Sequence, residues 1–141
     1  VVDLKHALEG AHRHLAEAGF ADRINVIEGD FFDKLPGDGD IYLLKAILHN
    51  WDDQKCTEIL ATLRQSMPIE SRLLIVERVV PDEVDTGLKS QAVVRSDLNM
   101  LVGRGGRERS RAEFAALLAQ AGFAEPRYLG LAEGFSAIET R

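Results

Sequence analysis

Cysteine is almost missing: Cys56 stands alone among 141 residues. A single thiol excludes an internal disulfide and a cysteine-rich metal centre, and it suits a reducing, cytoplasmic compartment. No apolar run approaches the ~20 residues that a membrane-spanning helix needs, so no membrane partner is expected. An excess of positive charge is absent too. Seventeen basic against 23 acidic side chains leave a net charge of −6, which argues against broad nucleic-acid binding. No secretory or transit segment is visible in the sequence. The sequence opens on Val1, and VVDL reads as the end of a buried strand. The chain is therefore expected to be the later part of something longer.

What is present describes a globular α/β protein. Hydrophobic residues make up 45% and charged residues 28%, and the length suffices for one domain with a sizeable core. Residues 1–4 read as a strand remnant ending in Asp3. Leu8, Ala11, Leu15 and Ala18 then recur at helical spacing, with Gly19 where a C-terminal cap belongs. Residues 23–28 (RINVIE) are short and β-branched, the profile of a strand. Pro36, Gly37, Asp38 and Gly39 form a turn. Cys56, Ile59, Leu60, Leu63 and Met67 lie on one helical stripe that Asn50 or Asp52 caps and Pro68 ends. Residues 72–80 (RLLIVERVV) predict a buried strand, and residues 88–102 a helix. A glycine-rich turn and a helix burying Phe114, Leu117, Leu118 and Ala121 follow. Two final strands, about 125–130 and 135–139, predict an antiparallel finish. LAEAGF (15–20) and LAQAGF (118–123) nearly repeat, read as one helix-to-strand cap used twice. Strands and helices alternating in this way specify a layered α/β sheet.

The stretch 40–53, DIYLLKAILHNWDD, organises the rest. Its apolar first half predicts a strand buried on both faces. Ligands of open α/β sheets bind beyond the carboxyl ends of the strands, and His49 falls just past this one, placed to act as a base. Taken without context, it reads by a small margin as a satisfied buried histidine or a helix-start residue instead.

Three acids, Asp3, Asp30 and Glu77, sit at or just beyond strand ends. Asp3 suits ribose hydroxyls at the end of a second strand, although acids in such positions also cap the following helix. The Gly-rich turn that accompanies such an acid belongs roughly 20 residues earlier, before Val1. The glycines at 103, 105 and 106 follow a helix where a dinucleotide fingerprint follows a strand, so they read as a turn. His6, His12 and His14 lack ligand spacing and read as surface residues. No metal site is expected. Cys56 reads as an inert core thiol.

GDFFDKLP (29–36), DIYLLKAILHNWDD (40–53), RLLIVERV (72–79) and DLNMLVGRGGRERS (97–110) occur in this order and spacing. In combination they resemble the catalytic domain of S-adenosylmethionine-dependent O-methyltransferases of the plant caffeate, bacterial polyketide and acetylserotonin type. The resemblance spans essentially the whole chain. It implies a Rossmann-like class I methyltransferase sheet with helices on both faces, mostly parallel with an antiparallel C-terminal strand. The first strand and Gly-rich loop of that fold are missing, so residues 1–141 correspond to a partial catalytic domain.

By the same resemblance, the catalytic residues are His49 as general base with Glu77 and Glu108 flanking it. Asp3 (ribose), Asp30 and Phe31 (adenine) and Lys45 hold S-adenosylmethionine, while Trp51 and Met100 line the pocket. The implied partners are a small hydroxylated aromatic or polyketide-like substrate and, in the full-length protein, a second copy in a homodimer. Asn50 departs from the family's usual Asp and Lys5 from its usual Pro. Because the family's first strand fills the middle of the sheet, the isolated chain is expected to have an unfilled centre or rearranged strands and to bind the cofactor poorly. Two rival readings stay open: a nicotinamide-dependent oxidoreductase, and a non-catalytic cofactor-binding regulator or dimer partner.

Overall fold

A computed structural model of the chain describes residues 1–141, apart from the side chain of Lys89. The chain runs β1 (Val2–Asp3), α1 (Lys5–Glu17), β2 (Ile27–Glu28), β3 (Ile41–Lys45), a 3₁₀ turn at Leu48–Asn50, α2 (Asp53–Ser66), β4 (Arg72–Val80), α3 (Leu88–Arg104), β5 (Arg109–Ser110), α4 (Arg111–Gln120), β6 (Arg127–Gly130) and β7 (Phe135–Thr140). Strands and helices alternate, as the hydrophobic pattern predicts.

β4 is the axis of the larger sheet, whose order is β3-β4-β7-β6. β3 pairs with it in parallel, Leu43 opposite Leu74, and β7 pairs antiparallel, Ile75 opposite Ile138. β6 and β7 form the expected antiparallel finish. Alternation along β4 sends Leu73, Ile75 and Glu77 to one face, where all three are fully buried. Leu44 and Ile138 join them, under Cys56, Ile59, Leu60 and Leu63 of α2 and Phe114, Leu117 and Leu118 of α4. Each such aliphatic or aromatic side chain contributes roughly 1.5–3 kcal/mol by leaving water. The expected core residues of both helices are therefore in place, except Ala121, which caps α4 and is half-buried.

The helix ends follow sequence chemistry closely. Asp52, not Asn50, caps α2, its carboxylate accepting from the Lys55 N–H at 2.8 Å. Ser110 and Glu113 form a reciprocal capping box at α4. The two near-repeats are one device. Gly19 (φ +75°) and Gly122 (φ +83°) adopt the left-handed conformation. The next amide closes the helix in each case, Phe20 N–H to Leu15 O at 2.8 Å and Phe123 N–H to Leu118 O at 2.9 Å.

Three expectations need correction, and one strand is new. RINVIE is strand only at Ile27–Glu28, because its parallel partner β1 offers just two residues to pair with. The stripe of α1 is half-buried at Leu8, Ala11 and Leu15, and Ala18 is exposed; among the described residues α1 fully buries none. The central strand β3 is buried on one face only: Leu44 is enclosed, whereas Ile41 and Leu43 are 63% and 59% exposed. Burial of the second face requires a layer that local sequence cannot specify. β5 was not foreseen. It is two residues long and polar, and it pairs with Val79–Val80 just past the stretch of β4 that β3 occupies.

β1 and β2 form a separate parallel sheet that shares no ladder with β3 among the described residues. Where an unfilled centre or rearranged strands were expected, the structure has two separate sheets. Among the described residues no helix is long and apolar enough to cross a membrane.

Candidate active site

The carboxyl end of β3 passes into a tight, strained corner. Ala46 adopts a positive φ of 54°, unusual for a residue with a Cβ. Its N–H donates to Val76 O at 3.0 Å, and its carbonyl accepts from the Asn50 side-chain amide at 3.1 Å. The 3₁₀ turn that follows presents His49.

Glu77 holds this turn from β4. Its buried Oε1 accepts from the backbone N–H groups of Ile47 and Leu48, both at 2.9 Å, and from that of His49 at 3.4 Å. One carboxylate oxygen thus satisfies the opening amides of a turn that has no side-chain cap of its own. The other oxygen, Oε2, lies 3.4 Å from His49 Nδ1. Glu108, from the turn after α3, places Oε1 3.4 Å from the same nitrogen. Ser96 of α3 donates its hydroxyl to that Oε1 at 2.6 Å, and the Glu108 N–H donates to Asp97 Oδ1 at 2.8 Å, so α3 fixes the second acid.

Nδ1 therefore sits between two buried carboxylates at the long end of hydrogen-bonding range. Nδ1, Glu77 Oε2 and Glu108 Oε2 are buried without an aligned hydrogen-bond partner among the described residues. The imidazole side chain is 16% exposed; with Nδ1 enclosed, that exposure belongs to the rest of the ring. The close approach of the Glu108 carboxylate raises the His49 pKa above 6.5, supported by the Glu77 charge and opposed by burial and by the Arg104 charge. Burial raises the Glu77 carboxyl, opposed by the charge and backbone amide of His49. The arrangement suits an imidazole that takes a proton at Nε2 and is stabilised as a cation from behind. The same three side chains present donor atoms within 4.8 Å of one another, spacing that a divalent cation could also use.

The other predicted positions fall into two groups. Asp3 and Asp30 lie at the adjoining carboxyl ends of β1 and β2, where the Gly29 N–H donates to Asp3 O at 3.0 Å. Asp3 Oδ1 accepts from the Leu4 N–H at 2.8 Å and Asp30 Oδ1 from the Phe32 N–H at 2.9 Å. The second oxygen of each meets no protein donor among the described residues. Phe31 and Trp51 meet edge to face at 6.0 Å, with Phe32 against both at 5.0 Å. An aromatic wall thus joins the GDFF segment to the histidine turn. Lys45 ends β3 on its exposed face, and Met100 is half-buried on α3; neither contacts His49 through a hydrogen bond among the described residues.

The histidines of α1 are exposed, as expected. Burial pushes the Cys56 thiol up to about 11, which makes it inert. It donates to Leu48 O at 3.2 Å. The Asn50 amide is committed to Ala46, so the departure from Asp serves the backbone corner. Sequence reasoning missed Arg109, a fully buried guanidinium bonded to Leu48 O, Trp51 O and Asp53. It also missed why Gly106 is glycine. A Cβ there would overlap His49 O and stand 2.6 Å from Asn50 C and 2.8 Å from Trp51 N. The signal available was the unbroken run GGRER itself.

Residues 1–124 match the O-methyltransferase domain family. The phenazine O-methyltransferase PhzM of Lysobacter antibioticus is 44% identical over 139 residues, covering 99% of this chain and 40% of that protein. The crystal structure of LaPhzM superposes with a TM-score of 0.93 at 43% identity, over 100% of this chain and 41% of that one. An O-methyltransferase of neocarzinostatin biosynthesis, NcsB1, solved with S-adenosylmethionine and 2-hydroxy-5-methyl naphthoic acid, gives a TM-score of 0.84 at 35% identity, covering 99% and 40%. The chain thus spans about 40% of the length of the relatives it matches. With nearly nine-tenths of its residues inside the family match, this chain belongs to the O-methyltransferase domain family.

Proposed function

We propose that residues 1–141 are part of the catalytic domain of an S-adenosylmethionine-dependent O-methyltransferase that acts on a hydroxyl, phenolic in character, of a small secondary metabolite. The observation that carries this reading is His49 Nδ1 standing 3.4 Å from each of two buried carboxylates, Glu77 and Glu108, at the carboxyl end of paired parallel strands. Family membership supplies the reaction class.

The residues fit the cofactor's chemistry. The unengaged oxygens of Asp3 and Asp30 suit ribose hydroxyls and the adenine amine. Phe31 and Trp51 suit an aromatic face, and Lys45 ends β3 on its exposed face. When bound, S-adenosylmethionine supplies a methyl group already electrophilic on its sulfonium. The protein's remaining tasks are to orient the acceptor oxygen and deprotonate it. A phenol with pKa ~10 is mostly neutral at working pH. His49 takes its proton at Nε2, and Glu77 and Glu108 fix the Nδ1–H tautomer and stabilise the imidazolium. Trp51 and Met100 line the acceptor side.

The relatives' acceptors, a phenazine and a naphthoate by name, support a flat hydroxylated aromatic. A net charge of −6 favours such a small molecule over nucleic acid. A lone thiol fits the cytoplasm, and the complete protein is proposed to work as a homodimer.

The test is transfer of labelled methyl from S-adenosylmethionine by the complete gene product to a panel of phenols, naphthols and aliphatic alcohols, with retention of labelled NAD measured alongside. Methylation of one or more aromatic hydroxyls is expected. Cofactor retention with no transfer to any acceptor supports a non-catalytic binder, and retention of NAD instead overturns the reading.

A further inference from the structure

The catalytic scheme leaves one buried ionic group unused. Arg109 is fully buried in the turn of chain that carries Glu108. Nε and Nη2 donate to Asp53 Oδ1 at 3.0 and 2.9 Å, Nη2 donates to Trp51 O at 2.7 Å, and Nη1 donates to Leu48 O at 2.9 Å and Arg107 O at 3.4 Å. Every guanidinium nitrogen is engaged. The two carbonyls at 48 and 51 bracket His49 and Asn50.

A buried charge of this kind is weak evidence for stability, since its desolvation offsets most of its attraction to a partner. Its geometry is more informative. Arginine's planar fork fixes several acceptors at once, which a flexible ammonium cannot do. Glu77 grips the His49 turn by its N–H groups, Arg109 grips it by its carbonyls, and Gly106 abuts its backbone too closely to admit a Cβ. Two of the three are tied to β4: Glu77 belongs to it, and Arg109 pairs with Val79 of it. The carboxylate that faces the ring, Glu108, is Arg109's neighbour in sequence. A shift of the guanidinium would therefore move the imidazole and one of its acids relative to each other.

We propose that Arg109 is a positioning residue that sets the separation of His49 Nδ1 from Glu77 and Glu108, and so governs turnover without touching substrate or cofactor. The inference rests on the reading of His49 as general base.

The experiment uses the complete gene product with Arg109→Lys, Asp53→Asn and His49→Ala. Lysine keeps the charge but cannot hold Leu48 O, Trp51 O and Asp53 together. Asp53→Asn loosens the fork from its outer side, where the carboxylate is 52% exposed and the amide oxygen can still accept from the guanidinium. Loss of positioning by a fraction of an ångström to one ångström should lower kcat about 10- to 100-fold in Arg109→Lys and about 3- to 10-fold in Asp53→Asn, with KM for S-adenosylmethionine within about threefold.

The decisive readout is the pH profile of kcat/KM. The charged groups acting on His49 are Glu77 of β4, Glu108 of the following turn and Arg104 at the end of α3. Arg109→Lys changes none of them, so a displaced limb reports altered geometry. Losses that track only the folded fraction, with the limb unmoved, overturn the proposal, as does kcat within twofold of wild type in folded variants. If Arg109→Lys does not fold, Asp53→Asn decides. If His49→Ala keeps its turnover, the general-base reading and this inference fall together. If it loses turnover while the other two variants keep theirs, this inference alone falls.

Discussion

Replacing Glu77 by glutamine separates the two tasks assigned to one side chain. Oε1 accepts two N–H bonds at 2.9 Å and a third at 3.4 Å, while Oε2 faces His49 Nδ1 at 3.4 Å. Glutamine's oxygen can replace Oε1, so the turn stays capped, with a cost of about 1–2 kcal/mol from weakening charge-assisted bonds. Its amide nitrogen then replaces Oε2 and donates toward Nδ1. That favours the tautomer protonated at Nε2, which cannot act as the base. The lost attraction is large. At 3.4 Å and an effective dielectric of about 20, one carboxylate attracts an imidazolium by roughly 5 kcal/mol before compensation by Glu108 and water. The expected loss in kcat is therefore about 10²- to 10⁴-fold. Glu77→Ala behaves differently: two orphaned buried N–H groups cost about 2–6 kcal/mol, a large part of the 5–15 kcal/mol of an ordinary domain. Urea denaturation with labelled methyl transfer on the complete gene product measures both. Glu77→Gln that is folded and turns over within threefold of wild type would refute the reasoning.

Two further outcomes follow from the same geometry. The nearby Glu108 carboxylate raises the His49 pKa, and a base works only when unprotonated. Log kcat/KM should therefore climb with pH along a limb centred above 6.5. Glu108→Gln removes the largest raising influence, so the limb moves to lower pH while the plateau falls; a limb that moves upward contradicts this. Asn50→Asp puts an oxygen where the amide donates to Ala46 O at 3.1 Å. It should cost about 1–3 kcal/mol in urea denaturation at neutral pH, and an unchanged midpoint would show that the Ala46 corner needs no brace.

Much of this was legible because β-strand parity is a local rule. RLLIVERVV places Glu77 two residues after Ile75 and four after Leu73, so any face that buries the leucine buries the acid. The stripe from Cys56 to Met67 and the paired LAEAGF and LAQAGF ends were readable for the same reason. Glu108 was reachable only through resemblance, because no periodicity governs an irregular turn. Arg109 gave no local sign, since its burial is repaid by carbonyls some 60 residues away. β3 misled for a related reason: Ile41 and Leu43 look like core, but whether a strand's second face is covered depends on what packs there. Gly105 and Gly106 form the turn the sequence predicts, whereas Gly103 lies inside α3; the demand on Gly106 comes from the His49 backbone, not from its own φ.

The central claim is that His49 removes the acceptor's proton, and His49→Ala in the complete gene product tests it most directly. Calorimetry should give S-adenosylmethionine affinity within about threefold of wild type, since no proposed cofactor contact is lost, while methyl transfer falls about 10²- to 10⁴-fold. Turnover of the folded variant within threefold of wild type would contradict the account.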